Sequence, residues 1–232
     1  MPVASAQDSS EPYSPFYGPE HDGSGVPTLP FEYSSAGDRV RGILWRPTPP
    51  GPAPLVLVAH PRDGSKDAPD VEALALAWTR AGAAVAAIDL PLHGARASGK
   101  LGERALRAVR RQGVGQQAAA TDALDADLSR HVVQQATTDL RRALTILAER
   151  ADIDATRLAL AGFGLGAELG RRVPDERTDL RATVLAGLSP DTPPPPSENA
   201  SVVPLAGEEI SAAAREQAWA CLAPALGLAP PQ

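Results

Sequence analysis

Two histidines and two aspartates stand directly after two apolar runs of this sequence. His60 and Asp63 follow the run PLVLVA, and Asp89 and His93 follow the run AVAAI. If the runs are neighbouring strands of an open sheet, these side chains lie at the carboxyl edge where such sheets hold ligands. Imidazole and carboxylate groups bind zinc, and bound zinc activates water for hydrolysis. The four residues therefore predict a site for zinc or another divalent metal that hydrolyses esters or phosphoesters.

A second chemical motif lacks its reacting side chain. Residues 157–166 read RLALAGFGLG, an apolar run that leads into the spacing G-x-G-x-G. A nucleophile elbow has the pattern G-x-S-x-G on a sharp turn between a strand and a helix. Gly164 has no side chain that can attack a substrate, but glycine adopts the positive φ of such a turn without strain. The backbone N–H of Leu165 would remain to bind a carbonyl or carboxylate oxygen.

The elements that must position these residues alternate along the chain. Apolar runs predict strands at 40–45, 55–59, 83–88, 158–161 and 182–186. Most of them are apolar throughout, which is typical of parallel strands covered on both faces. Apolar residues spaced by three or four predict helices at 71–78 and 133–147. A strand-like run at 201–206 and a helix from Ser211 to about Leu222 follow.

The sequence predicts one domain, from residue 29 to residue 232. Residues 1–28 are rich in Ser, Pro, Gly and acidic groups and predict a flexible lead-in. Segment 97–130 mixes basic residues with an acidic patch, which favours a solvated face, at a position where a cap insertion would cover a site. Segment 191–200 includes four consecutive prolines, so we expect a stiff linker there.

Composition excludes several classes of protein. The 232 residues are 43% hydrophobic and 22% charged, as in soluble globular domains. A net charge of −6 argues against a nucleic-acid partner. The single cysteine, Cys221, excludes an intrachain disulfide. No run is apolar enough to span a membrane and no signal peptide is evident, which predicts a cytoplasmic protein, although Ala4-Ser5-Ala6 is similar to the cleavage site of a removed signal.

Residues from about Val40 to Pro190 resemble the α/β-hydrolase superfamily, most of all its dienelactone-hydrolase and small-esterase branch. The similar segments are PLVLVAH at 54–60, AAIDLPLHGAR at 86–96 and the helix-to-elbow stretch at 139–166. The resemblance implies a mostly parallel sheet flanked by helices. It also implies a structural alternative to the metal site, because His60 and His93 match histidines that hydrogen-bond the loops around the pocket.

The resemblance fails at the catalytic residues. The family's elbow serine attacks an acyl carbon, a late histidine takes its proton and an acid orients that histidine. Here Gly164 stands at the first position, and no histidine follows it. Either Val202–Gly207 is the acid-bearing strand, with Ile210 in place of the aspartate, or 202–210 is the last strand, with Glu208 in place of the histidine. A following helix favours the second alignment, and both imply a sheet shortened at its C-terminal edge.

Three functions follow from these residues. The first is a pseudoenzyme without a triad or cofactor, which binds a protein or a small carbonyl-containing or apolar ligand. The second is the metal-assisted hydrolase, with Glu208 as a further ligand or base. The third is an interaction protein that forms a homodimer through the exposed sheet edge. The predicted pocket is lined by His60, Asp63, His93, Gly164, Leu165 and Glu208.

Overall fold

The computed structural model describes residues 15–22, 24–48, 50–97, 99–113, 123–188, 197–204 and 210–229. Its strands are β1 (Phe16–Tyr17), β2 (Thr28–Ser35), β3 (Asp38–Trp45), β4 (Ala53–Ala59), β5 (Ala84–Ile88), β6 (Ile153–Phe163), β7 (Leu180–Ala186) and β8 (Ala200–Val203). Its α-helices are α1 (Pro69–Arg80), α2 (Lys100–Gly113), α3 (Ala123–Ala148), α4 (Leu165–Gly170), α5 (Val173–Glu176) and α6 (Ala212–Ala225). A short 3₁₀ turn spans Gly94–Arg96.

The strands form one sheet in the order β1-β2-β3-β5-β4-β6-β7-β8. β1, β2 and β3 pair antiparallel, and β3 also pairs antiparallel with β5. The strands from β5 through β4, β6 and β7 to β8 are parallel. Every residue of β4 and β5 is buried, which explains their uninterrupted apolar sequence. The predicted mostly parallel sheet with flanking helices is confirmed.

Helices cover both faces of the sheet. On one face, Leu140 and Leu144 of α3 join Leu55 and Leu57 of β4 in one core cluster. On the other face, Trp78 of α1 stacks on Trp219 of α6, with ring centroids 5.5 Å apart. Because a strand sends alternate side chains to opposite faces, two separate cores sandwich the central strands. These cores fix the strand ends that carry the candidate site.

Part of the segment predicted to be a flexible lead-in, residues 1–28, pairs with the sheet. The short strand β1 pairs with β2, and the guanidinium of Arg150 lies 4.5 Å from the centre of the Tyr17 ring. The hairpin of β2 and β3 turns at Ala36 and Gly37, both with positive φ. Gly18 and His21 also form backbone hydrogen bonds with Pro30 and Thr28, so these residues belong to the fold, and residues 1–14 lie outside the described residues.

The segment 97–130 contains helix α2 and the start of α3. Ala105 and Val109 of α2 are buried in the core cluster that also contains α3. Asp125, predicted to lie on a solvated face, is buried and forms an ion pair with Arg104. The segment thus contributes to the core, and residues 114–122 lie outside the described residues. Its role as a cap stays a prediction.

β8 is the outermost strand on one side of the sheet. It has four residues, and the Val202 side chain is 47% exposed. Most of the predicted linker 191–200 lies outside the described residues, which resume at residue 197. Within the described part of the chain, none of the helices is both long enough and apolar enough to cross a membrane.

Candidate functional site

The parallel strands β5, β4 and β6 end side by side at one edge of the sheet. Val58 of β4 pairs with Ala87 of β5, and Ala59 pairs with Gly162 of β6. Each of these strands is followed directly by residues predicted to be functional: His60 after β4, Asp89 after β5 and Gly164 after β6. The topology therefore brings the loop after β4, the loop after β5 and the glycine-rich turn after β6 to a common edge, as expected.

The turn after β6 has the shape of a nucleophile elbow. Gly164 has φ 51° and ψ −115°, and α4 begins at the next residue. Its N–H donates to the carbonyl of Ala186 at 2.8 Å, and its carbonyl accepts from the N–H of Ala167 at 3.0 Å. Residues with a Cβ avoid this backbone conformation because it is sterically strained. Glycine at position 164 therefore satisfies the turn without strain, but supplies no nucleophile.

Two further glycines let this turn pack against its neighbours. A Cβ on Gly162 would lie 2.7 Å from the Cα of Ala167, inside α4. A Cβ on Gly166 would lie 2.1 Å from the carbonyl oxygen of Ala59 and 2.6 Å from that of His60. Both contacts are with backbone atoms, which cannot rotate away. The flanking glycines of the motif are thus required by close packing of β6, α4 and the end of β4.

His60 is a fully buried residue that fastens two loops together. Its Nδ1 lies 2.7 Å from the carbonyl oxygen of Pro61, and its Nε2 accepts from the N–H of Leu90 at 3.1 Å. The pair of bonds defines a neutral ring, with the proton on Nδ1. The pKa of His60 is lowered to about 4, mainly by burial; the Pro61 carbonyl opposes this shift and the nearby His93 contributes to it. Both ring nitrogens are occupied, so neither is free to bind a metal.

His93 lies against His60 but is less completely bonded. The two ring centroids are 5.1 Å apart, in an edge-on arrangement. Nδ1 of His93 lies 2.9 Å from the carbonyl oxygen of Pro91. Its Nε2 is buried and has no hydrogen-bond partner within the described part of the chain.

Asp89 is fully buried and binds the loops on either side of it. One carboxylate oxygen accepts from the backbone N–H of Lys66 at 3.1 Å, and the other from that of Ala95 at 3.2 Å. The Lys66 ammonium lies 3.5 Å from the carboxylate and compensates its charge. A Cβ on Gly94 would lie 2.2 Å from the same carboxylate, so the following turn requires glycine. Asp89 therefore serves as a loop anchor.

Arg96 ties the loop after β5 to the rest of the domain. Its guanidinium donates to the carboxylate of Asp139 at 2.7 Å, to that of Asp38 at 2.8 Å and to the carbonyl of Asp89 at 3.1 Å. Asp139 is fully buried, and burial raises its pKa although Arg96 acts in the opposite direction. Tyr33 donates to the Asp139 carbonyl at 2.7 Å. Charge-assisted bonds of this kind hold the loop in one conformation.

Of the four residues predicted to bind zinc, the structure brings His60 and His93 together but does not group three of them as metal ligands within the described part of the chain. Asp63 is exposed, whereas His60 and Asp89 are buried and bonded to backbone groups. Among the described residues there is no group of three or more His, Cys, Asp or Glu side chains arranged to hold a metal ion. The structure brings His60 next to His93, as predicted, but their bonding fits the structural alternative.

Of the other two residues predicted to line the pocket, Leu165 lies in the elbow turn and Glu208 lies outside the described residues. Leu165 is buried at the first position of α4, where a helix has no acceptor for its N–H. The described residues resume at Ile210, after Glu208. The N–H of Ile210 lies 3.4 Å from a carboxylate oxygen of Asp70, at the start of α1.

Sequence reasoning missed the anchoring residues. Arg96 belongs to the segment that resembles the hydrolase family, so its position was a usable signal. Lys66 contacts Asp89 both through its backbone N–H, which almost any residue could supply, and through its ammonium group, and no motif in the sequence pairs the two residues. Leu92 has a φ of 68°, an uncommon value for leucine that no residue pattern indicates.

No protein-family model matches the chain, and no curated protein matches it by sequence. Solved structures do match it. An acetyl xylan esterase from Paenibacillus sp. R4 aligns with a TM-score of 0.57 and 20% identity, over 76% of this chain and 54% of that one. A cold-adapted esterase from an Arctic intertidal metagenomic library aligns with a TM-score of 0.54 and 21% identity, over 74% and 64%.

A third similar structure is acetyl xylan esterase 1 from Thermoanaerobacterium sp. JW/SL YS485, with a TM-score of 0.56 and 16% identity, over 76% of this chain and 53% of that one. The chain thus spans 53% to 64% of the length of these three proteins. None of the three is named a dienelactone hydrolase, so that finer placement stays a prediction. With its sheet order and its elbow turn, this chain has the α/β-hydrolase fold.

Proposed function

We propose that this protein is an α/β-hydrolase homologue that has lost the Ser-His-Asp triad and binds a small carbonyl-containing or apolar ligand without turning it over. The observation that carries the proposal is Gly164, a residue without a side chain in an elbow turn of φ 51° and ψ −115°. The turn is where this fold presents its nucleophile. Its geometry persists here while its chemistry does not.

Loss of the triad removes most of the catalytic power of such a site. In a serine hydrolase, removing the triad leaves a residual acceleration of roughly 10³ to 10⁴ over water, which comes from binding and the oxyanion hole. The N–H of Leu165 is retained in this turn, and an N–H donor needs no particular side chain. A site that holds a carbonyl group is therefore compatible with the loss of hydrolysis.

Two measurements on the purified protein test the proposal together. We expect no steady hydrolysis of short-chain p-nitrophenyl esters, and a higher melting temperature in some members of a panel of short esters, amides and carboxylates. A ligand at a hundredfold excess over its Kd stabilises the folded state by about 2.7 kcal/mol. Turnover that scales with folded protein would contradict the proposal, as would a panel in which no compound raises the melting temperature.

Position 164 allows a sharper test of the missing triad. Gly164→Ser restores a hydroxyl, and Gly164→Ala is its control because both variants impose the same backbone strain, about 1–3 kcal/mol. We expect both variants to be inactive on p-nitrophenyl acetate, because a serine without an adjacent base is a weak nucleophile. Hydrolysis by Gly164→Ser alone would show that a base still serves the elbow.

The alternative of metal-assisted hydrolysis receives no support from the residues proposed for it. His60 uses both ring nitrogens, and Asp89 binds two backbone N–H groups. The homodimer stays a prediction for the β8 edge, where light scattering that gives the mass of one chain would contradict it.

A further inference from the structure

Helix α2 carries a charge opposite to that of the rest of the protein. Residues 97–113, which include the helix, contain five Lys or Arg residues and one Glu, so their net charge is +4. The whole chain has a net charge of −6, which leaves −10 for the remaining residues. A local reversal of sign within an acidic protein is one mark of a surface that meets an anionic partner.

The basic residues of α2 follow the period of the helix. Four of them are spaced by three or four residues and form what we call the basic row: Lys100, Arg104, Arg107 and Arg111. Residues at this spacing occupy one side of a helix, and the four positions extend over about 16 Å. The other side of α2 faces the core, where Ala105 and Val109 are buried. The basic row therefore belongs to the outer side of the helix.

Two cations of the basic row have no partner in the described part of the chain. The side chains of Lys100 and Arg107 are exposed, and neither forms a hydrogen bond or ion pair with a described residue. Arg104 has a side chain that is 37% exposed, and it pairs with Asp125 of α3. Lys100 and Arg107 are thus accessible to a partner without the loss of any contact within the described residues.

The basic row opposes the formation of its own helix. Like charges three or four residues apart repel one another, whereas a helix face that is merely solvated usually alternates charges of opposite sign. Glu103 is the one acidic residue in the sequence of α2, and among the described residues it forms no ion pair with Lys100 or Arg107. An anion bound along the row would relieve this repulsion.

The charge of the whole molecule favours one class of anion. Membranes and nucleic acids extend well beyond one helix, so they would also face the −10 of the remaining residues, whereas a short acidic peptide fits along α2. Insertion into a bilayer needs an exposed apolar helix face, and that of α2 lies in the core. Carboxylates also match guanidinium groups, which bind them through two parallel N–H···O bonds.

We propose that the basic row of α2 is a docking surface for an acidic segment of a partner protein, in which Asp or Glu recurs every three or four residues. The contact goes beyond the ligand site of the proposed function and does not depend on it. Exposed ion pairs are individually weak and are screened by salt, so the complex forms and dissociates rapidly and is sensitive to ionic strength.

Two synthetic peptides of the same length as α2 test the charge requirement. In one, Glu recurs every three or four residues among alanines, and in the other Gln replaces every Glu. We expect fluorescence anisotropy to show binding of the Glu peptide alone, with an affinity that falls at least about tenfold between about 30 and 300 mM NaCl. In ¹H–¹⁵N spectra of the unaltered protein, we expect the Glu peptide to move the resonances of α2 most.

Charge reversal locates the surface. The double variant Lys100→Glu, Arg107→Glu alters two exposed side chains without a described partner, so the fold should be unaffected. We expect it to bind the Glu peptide at least about tenfold more weakly. The control is Arg172→Glu, Arg215→Glu, which changes the net charge equally at α5 and α6, again at side chains without a described partner. Its affinity should stay within about threefold of the unaltered protein.

The other outcomes overturn the proposal. It fails if the Gln peptide binds as well as the Glu peptide, or if the control loses as much affinity as the α2 variant. Tighter binding of phosphatidylserine vesicles or of an oligothymidylate of equal charge would make the partner a lipid or a nucleic acid instead. If no probe binds, α2 is a solvated face. Should the α2 variant not fold, the spectra of the unaltered protein decide alone, because movement confined to other elements excludes α2.

Discussion

The elbow turn and the loops that follow β4 and β5 lie at the same sheet edge, but they differ in what they contain. One has the backbone conformation of a catalytic turn, and the others have side chains that could take part in chemistry. The elbow has its backbone conformation and its tight packing at Gly166, but no reactive side chain. The loops have reactive side chains in His60 and Asp89, but these side chains bind backbone groups. The contrast teaches that a residue's partners, rather than its type, decide whether it is available for chemistry.

The largest effect is expected at the elbow, where backbone meets backbone. In Gly166→Ala, the new Cβ would lie 2.1 Å from the carbonyl oxygen of Ala59, so β4 or α4 must move. Overpacking against groups that cannot rotate costs about 3 kcal/mol or more. We expect unfolding in urea at a much lower midpoint, or no folded protein.

Gly170→Ala is the matched control in the same helix. Its Cβ would come no closer than 3.4 Å to the end of the Leu160 side chain, which is an ordinary contact. Alanine also favours a helix over glycine by about 1 kcal/mol. The free energy of unfolding should therefore be unchanged or slightly higher. Equal losses in the two variants would show that the packing of the elbow is not what requires glycine.

A smaller loss is expected when the loop anchor is weakened. Asp89→Asn removes the charge opposite Lys66 and turns one acceptor oxygen into a donor that faces a backbone N–H. Breaking a buried ion pair costs about 3 kcal/mol. We expect the free energy of unfolding to fall by that amount, as measured by urea denaturation.

Asp67→Asn provides the control, because it removes a charge that pairs with the same lysine. The Asp67 carboxylate lies 3.0 Å from the Lys66 ammonium, but its side chain is 57% exposed. Exposed ion pairs contribute less than about 1 kcal/mol. A loss from Asp67→Asn as large as that from Asp89→Asn would mean that Asp89 is not an anchor.

The fold was predictable because its central strands consist of continuous apolar residues. β4 and β5 are buried on both faces, and their sequences show it. The hairpin strand β2 was missed, although Leu29, Phe31 and Tyr33 alternate with more exposed residues. Pro30 and the two serines at its end obscured that period of two. An edge hairpin has only one covered face, so its signal is weaker than that of a buried parallel strand.

The site was only partly predictable, because residue type does not encode bonding partners. The sequence placed His60, Asp89 and His93 at one edge, and the structure brings them there. It did not reveal that Leu90 occupies Nε2 of His60, since a backbone N–H is present at almost every position. The bonds of His60 fit the structural alternative, in which the histidines hydrogen-bond the surrounding loops, but the sequence could not say which backbone groups they would meet.

The burial of His60 predicts that the protein loses stability in acid, by less than the Gly166→Ala and Asp89→Asn variants are expected to lose. Burial lowers the pKa of His60 from 6.5 to about 4 in the folded protein. Above pH 6.5 the ring is neutral in both states, so its contribution to stability is fully present. As the pH falls towards 4, the unfolded chain takes up a proton that the folded protein does not, and stability is lost. Linkage gives a loss of about 2 kcal/mol between pH 7.5 and pH 5.

The variant His60→Gln isolates this loss from the titration of other groups. Its side-chain oxygen takes the place of Nε2 and accepts the N–H of Leu90, but the amide does not titrate between pH 5 and pH 7.5. Urea denaturation at the two pH values should show a fall in unfolding free energy that is about 2 kcal/mol smaller in the variant. The variant also loses the bond to Pro61, but it does so at both pH values. The comparison is therefore between the drop in unfolding free energy from pH 7.5 to pH 5 in the variant and the same drop in the unaltered protein. If both proteins lose the same stability on acidification, His60 is protonated in the fold, and it cannot be the neutral link between the two loops.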